Sequence, residues 1–401
     1  MKCPICGSIN INDIVHRTRM PVYQNCLFDT EKDAKECTKK DIDMVICMDC
    51  GFVYNDSFDD TLDLYNENYN NAQSASENFL EYMKSSIEYL WDKYYREGEE
   101  PHRICEIGCG KEADYLKLIY EKIHTINEGE ITDLQIIGYD PSSCYYNDEI
   151  IKIYPRYFDL NNEECNGIDL LISRHVVEHL NNPLLLFKNV YGLSKCNNSL
   201  AFFETPDVEW IFKNNVVFDF AYEHCSLFSK ASIFKVAEIL NINPLEIKIE
   251  FGGQYMWAIM KNESYILDKS EFCKSKNNVL ALANKYAKQE DTIFRKIRDM
   301  LIKKRKNGKV IVWGAAGKAN VFLNLFDSAR EIIEAAIDIN PRKWGKYIGG
   351  TGHCIVSPAI LERKEIRTVI IMNNNYYDEI VEEIHKMNTA VDDIIALESC
   401  L

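Results

Sequence analysis

The chain has 401 residues, 46% hydrophobic and 27% charged, the composition of an ordinary globular protein, which excludes collagen-like, low-complexity and largely disordered chains. Lysine and arginine total 46 against 62 aspartates and glutamates, and the resulting charge of −16 repels polyanions over the general surface and argues against a nucleic acid partner. No run approaches about 18 apolar residues, and the start MKCPICGS lacks the basic and apolar regions of a secretory signal, so a cytoplasmic protein with no membrane span is expected.

This length exceeds what one core usually supports, and the pattern divides into residues 1–63, 64–262 and 263–401. Most of the fifteen cysteines, such as Cys105, Cys196 and Cys354, sit in apolar runs as small core residues. Cys3 and Cys6 in CPICG, and Cys47 and Cys50 in CMDCG, are different. Two C-x-x-C-G knuckles read as a closed tetrahedral site for structural Zn2+, folding a lobe too small to hold a core by itself. Between them Arg17 and Arg19 stand either as an anion-facing pair or as solvated surface.

The segment RICEIGCGKEADYL reads as a buried strand, a glycine turn and a helix. Glu106, Gly108 and Gly110 fall at the strand end and resemble the E/D-x-G-x-G-x-G turn of methyltransferases that use S-adenosylmethionine, where small residues let the backbone approach the methionine part of the cofactor. The next strand closes on Asp140, placed to accept ribose hydroxyls, and RYFDL supplies Asp159 for an adenine amino group. In GIDLLISRHVVEHLNNP the apolar run turns polar after Ser173, which sets His175 and His179 at i and i+4 on a helix start. That is the carboxyl end of a strand, where ligands of open α/β sheets bind, and backbone-satisfied histidines are the alternative. Glu112 stands where a dinucleotide loop has its third glycine; a sulfonium cofactor without phosphates tolerates that carboxylate better than NAD does.

Residues 218–229, FDFAYEHCSLFS, gather Tyr222, Glu223 and His224. Methyl transfer to carbon beside a ketone needs a positioned base, with a carboxylate to set its tautomer and a phenol to steady the enolate oxygen; a packed loop that leads into a helix near Ser229 is the alternative. A helical connector over 267–306 leads to KVIVWGAAGKANVFL, a second strand, glycine turn and helix. Asp338 closes the following strand. Lys318, Arg342, Lys343 and Lys346 form a basic lining for a diphosphate, while Asn375 and Tyr376 are able to hydrogen-bond and stack; by spacing alone this turn is also open to NAD.

CPICG, CMDCG, EIGCG, HVVEHL, EH-x-x-x-FS, the GAA-x-K turn and DINPRKWGKYIGGTGHCIVSP together make the chain resemble the three-domain sugar C-methyltransferases of deoxysugar biosynthesis, over nearly its whole length. The resemblance implies an α/β protein in which two Rossmann-like doubly wound domains follow a small zinc-binding lobe. It implies S-adenosylmethionine in the middle domain and a small-molecule nucleotide sugar held by the C-terminal one. It also implies His224 as general base with Glu223 beside it, His179 near the reacting centre, Tyr69 against the cofactor, and Lys318 and Asn320 at the nucleotide sugar. Ala221 replaces the family's tyrosine and Tyr222 its first histidine, so the substrate is expected to differ. O- or N-methylation of a related nucleotide sugar, an NAD-dependent oxidoreductase and a non-catalytic zinc-containing binding protein are the rival readings. A monomer or small homo-oligomer is expected.

Overall fold

The computed structural model describes residues 2–62, 76–95, 100–126, 133–159, 167–197 and 199–400. The N-terminal lobe contains β1 (Ile11–Pro21), β2 (Leu27–Phe28), α1 (Glu31–Glu36), β3 (Lys39–Cys47) and β4 (Val53–Asn55). The strands β1, β3 and β4 pair antiparallel, and apolar residues alternate inward along them, with Ile42, Met44 and Ile46 buried on β3. Arg17 is not solvated surface: it is buried against the carboxylate of Glu290, with Nη1 to Oε2 at 3.1 Å, and ties the lobe to the connector helix.

The middle unit runs through α2 (Glu77–Tyr94), β5 (Arg103–Ile107), α3 (Asp114–Ile126), β6 (Gln135–Tyr139), β7 (Tyr146–Asn147), β8 (Ile151–Tyr154), β9 (Leu170–Arg174) and α4 (Pro183–Asn197). It continues with β10 (Leu200–Pro206), α5 (Val208–Lys213), β11 (Ser226–Leu227), α6 (Lys230–Leu240), β12 (Asn243–Glu250) and β13 (Tyr255–Lys261). The described residues form an eight-stranded sheet ordered β12-β13-β10-β9-β5-β6-β8-β7. Its centre is parallel and β13 is antiparallel. The parallel strands are near-continuous apolar runs because helices cover both faces. Strand order reverses between β5 and β9, which opens a crevice at their carboxyl ends.

The third unit begins with α7 (Lys269–Asn307), a 39-residue helix whose Val279, Ala283, Tyr286, Ile293, Ile297 and Leu301 recur at helical spacing and are buried. It is followed by β14 (Lys309–Trp313), α8 (Gly317–Phe326), β15 (Ile333–Ile337), β16 (Tyr347–Ile348), β17 (Ile355–Val356), β18 (Ile366–Ile371), α9 (Tyr377–His385) and β19 (Asp393–Ala396). Its parallel sheet is ordered β17-β15-β14-β18-β19, with its own reversal between β14 and β18. The units interlock: β11 pairs with β4 of the lobe, and β16 pairs with β2. One apolar cluster holds Cys3, Cys47 and Phe52 of the lobe together with Ile107, Phe187 and Phe228 of the middle unit.

Candidate active site

At the carboxyl end of β5, Gly108 and Gly110 take φ of 76° and 73°, the left-handed region that favours glycine. A Cβ at Gly108 would sit 2.2 Å from Val176 Cγ2. Asp140 pins the turn by accepting the Gly110 N–H at 2.9 Å, and it also accepts the N–H and hydroxyl of Ser142 at 2.8 and 2.6 Å. Glu106, Gly108, Gly110, Asp140 and His175 line one cleft together with Phe79 and Met83 of α2. Asp159 lies outside that lining and is exposed. Its neighbour Phe158 turns inward against Tyr139, ring centroids 5.4 Å apart, and Tyr157 and Phe158 occupy the wall where a carboxylate was expected. Tyr69 lies outside the described residues.

Glu106 is 2% exposed, and among the described residues its Oε2 has no hydrogen-bond partner. Burial pushes its carboxyl up to about 8, even with the Arg174 guanidinium nearby. Behind it lies a network that motif reading missed. Arg174 donates to Glu204 Oε1 from Nε at 3.1 Å and from Nη2 at 2.8 Å, and stacks 4.2 Å above the Tyr115 ring. Glu204 also accepts from Trp257 Nε1 at 2.7 Å and from the Tyr82 hydroxyl. The available signal was the charged residue ending each of two apolar runs, LLISR and LAFFE.

His175 and His179 line this cleft and a second one as well. They are not an i, i+4 pair on α4. His175 has a φ of 53°, its N–H donates to Glu204 O at 2.9 Å, His179 sits in a single 3-10 turn, Val177–His179, and α4 starts later at Pro183. Burial disfavours charge on His175, but the carboxylates of Glu178 and Glu204, 3.4 and 3.0 Å from its ring nitrogens, outweigh it and raise the imidazole to about 9. His179 Nδ1 lies 3.0 Å from Glu223 O, and its ring meets that of His224 edge-on, centroids 5.0 Å apart. Burial, then the nearby His179, lowers His224 to about 3, so its ring is neutral.

The second cleft brings together His175, Glu178, His179 and His224 with Gln24 and Asn25 of the lobe and Gly314, Lys318, Asp338 and Tyr376 of the third unit. Of the expected trio only His224 lines it. Tyr222 is fully buried on the lobe side, its hydroxyl accepting the Asp59 N–H at 3.0 Å, because the chain bends at Tyr222 and Glu223 before β11 begins. Glu223 is also fully buried and accepts the Gln24 N–H at 2.6 Å; burial raises its carboxyl to about 7, and it does not set the His224 tautomer.

The expected basic lining is neutralised. Lys318 enters the cleft, but its Nζ lies 2.6 Å from Glu398 Oε1 and 3.5 Å from Asp219 Oδ2. Lys343 is buried against Asp338 at 2.8 Å, Arg342 reaches back to Glu112 of the cofactor loop at 2.9 Å, and Lys346 pairs with Asp29. Asn320 is structural, its amide directed to the carbonyls of Tyr23 and Gly349 at 3.4 Å, and Asn375 donates to Phe251 O at 2.8 Å. Lys318 cannot leave its carboxylates without uncovering them, and the glycine turn itself stays open, with Gly314 at φ 107°.

Away from both clefts, Cys3, Cys6, Cys47 and Cys50 place their sulfurs within 4.8 Å of one another, with Cys3–Cys50 at 3.6 Å and Cys6–Cys47 at 3.5 Å. Tetrahedral ligation at about 2.3 Å puts sulfurs roughly 3.8 Å apart, so the cluster suits a zinc ion with no ligand position left over. Gly7 and Gly51 close the knuckles with N–H bonds to Cys3 O and Cys47 O at 2.9 and 2.8 Å.

Residues 75–246 match the family model of a methyltransferase domain, and residues 270–396 match that of the C-methyltransferase C-terminal domain. No curated protein matches the chain. Among solved structures it is similar to the methyltransferase domain of bacterial CtHen1 (19% identity, 47% of this chain and 100% of that one, TM-score 0.33). It is also similar to magnesium protoporphyrin IX methyltransferase from Synechocystis PCC 6803 with bound SAH (11%, 48% and 88%, 0.33). A third likeness is to the CurJ carbon methyltransferase (11%, 47% and 54%, 0.32). A methyltransferase domain that carries the glycine-turn cleft, followed by a C-methyltransferase C-terminal domain, makes this chain an S-adenosylmethionine-dependent methyltransferase.

Proposed function

We propose that the protein transfers the methyl group of S-adenosylmethionine to a carbon beside the ketone of a nucleotide-linked sugar. The observation that carries this reading is the shared wall: His175 and His179 border both clefts, so a sulfonium in one faces an acceptor in the other. The cofactor's methionine part lies toward Glu106 and its ribose toward Asp140. The nucleotide occupies the Gly314–Gly317 turn, where backbone N–H groups at the start of α8 meet the diphosphate. His224 is the proton acceptor nominated by its position in the acceptor cleft, and the four-cysteine cluster holds structural zinc.

The test is incubation of the protein with a nucleoside-diphosphate ketosugar in D2O. Deuterium entering the carbon next to the ketone, and a product one methyl heavier when S-adenosylmethionine is added, are expected. Methylation without exchange at that carbon would move the reaction to oxygen or nitrogen. A second reading has its own support: Glu178, Asp219, Asp338, Glu379 and Glu383 all line the acceptor cleft, where the lysines are already paired. Such a lining favours an acceptor that brings an amine, and with it N-methylation.

A further inference from the structure

We propose that Glu178, His179 and His224 form a second metal site, separate from the cysteine cluster, which holds a divalent transition cation at the wall between the clefts. One ligand atom of each residue lies within 4.8 Å of the others, and all three residues line the acceptor cleft. Two imidazoles and one carboxylate leave open positions for oxygen ligands, and this donor set suits manganese, iron or zinc rather than calcium or magnesium.

Three further observations support the site. Glu178 is 1% exposed, and its Oε2 is 3.2 Å from the Thr205 hydroxyl that donates to it. Among the described residues its Oε1 makes no hydrogen bond, and its ion-pair neighbour is His175 Nδ1 at 3.4 Å. With His175 on one side, the Glu178 carboxylate still has lone pairs to offer a cation beside the two imidazoles of His179 and His224. The outer contacts also match what metal ligands need. With its Nδ1–H directed to Glu223 O, His179 presents Nε2 as the lone-pair nitrogen, so a backbone carbonyl fixes its tautomer.

A cation there binds the acceptor's carbonyl oxygen and any adjacent oxygen or nitrogen, and acidifies the neighbouring C–H by stabilising the enolate oxygen. With the ion bound, His224 serves as a ligand in place of the base role proposed above, and the proton passes to a hydroxide on an open position of the ion, which leaves as water. The enolate carbon takes the methyl group, and S-adenosylhomocysteine leaves neutral at sulfur. This inference rests on the three side chains and not on the identity of the sugar.

Metal content of the full-length protein separates the two sites. Purified protein dialysed against manganese is expected to carry one ion more than the cysteine cluster accounts for. Cobalt substitution should add the weak visible bands of an oxygen- and nitrogen-ligated ion, distinct from the intense charge-transfer and ligand-field bands of the tetrathiolate cysteine site. Glu178→Gln and His224→Ala should each weaken manganese binding by roughly 100-fold and remove that weak component while the cysteine-site bands remain. Thr205→Val, which leaves all three ligands in place, should weaken it about 10-fold. If manganese binds no more tightly to the wild type than to His224→Ala, with both proteins melting cooperatively, the metal site is overturned and the methyl-transfer reading stands. Loss of deuterium exchange with manganese binding intact would remove that reading instead.

Discussion

Glu106 is the residue whose environment makes the sharpest demand. Its carboxyl sits at about 8 against an ordinary 4.5, with Arg174, Asp140, Glu204 and Asp114 the charged groups around it. Between those values the folded protein holds a proton that the unfolded chain has lost, so this residue's contribution to stability falls as pH rises from about 4.5 to 8. Glu106→Gln should flatten that fall, raising the melting temperature at pH 8 relative to wild type by about 2–4 °C. A cationic cofactor favours the carboxylate, so wild-type affinity for S-adenosylmethionine should tighten up to about pH 8 and level off, whereas the glutamine variant should bind about 10-fold more weakly with no such slope. Calorimetry across pH checks both. The two turn glycines separate backbone strain from steric clash. A Cβ added at Gly110 would meet nothing within 4 Å, so Gly110→Ala should cost only about 1–2 kcal/mol from its φ. Gly108→Ala adds the Val176 clash and should weaken cofactor binding more than about 10-fold in the same titration.

Among the elements, the stretch from β11 into α6 shows how a short segment joins units. Ser229 caps α6 through a capping box with Ser232, and its hydroxyl donates to Gly51 O of the second knuckle at 3.0 Å. Ser229→Ala should therefore lose about 1–2 kcal/mol, read as a lower urea midpoint with an unchanged slope. The salt bridge between Arg342 and Glu112 also joins two units but is largely exposed, with side-chain exposures of 73% and 44%. Arg342→Ala should move the midpoint by no more than about 1 kcal/mol. The helix α7 was legible from its three- and four-residue spacing, and β13 from its apolar run behind two glycines. The helix expected to carry His175 was not. HVVEHL has helical spacing, but the polypeptide turns at His175 to reach Glu204 O before α4 begins, and that partner comes from another strand.

For the whole molecule, the lobe supplies Gln24 and Asn25 to the acceptor cleft, while the described lining of the cofactor cleft contains no lobe residue. Zinc removal, or Cys47→Ser, should lower the melting temperature by at least about 5 °C, because lobe and middle unit share one apolar cluster. Below that transition, S-adenosylmethionine affinity should stay within about threefold while acceptor binding is lost, a contrast that paired titrations resolve. The interlocking of β4 with β11 and of β2 with β16 makes the three units one body, with the acceptor cleft where they meet.

What the sequence determined by itself was local: two glycine turns behind apolar strands, two cysteine knuckles, a periodic connector and the residues that end each strand. Neighbouring residues carry that information, through backbone conformation and the spacing of apolar side chains. Which side chains share a cleft was decided only in three dimensions. Tyr222 and Glu223 are adjacent to His224 in sequence yet face the lobe, while Glu178, more than forty residues earlier, meets it. Arg17, Arg342 and Lys346 met the carboxylates of Glu290, Glu112 and Asp29 across units for the same reason, whereas Lys343 found Asp338 in its own loop. A buried charge needs a partner, and only packing determines which partner is within reach.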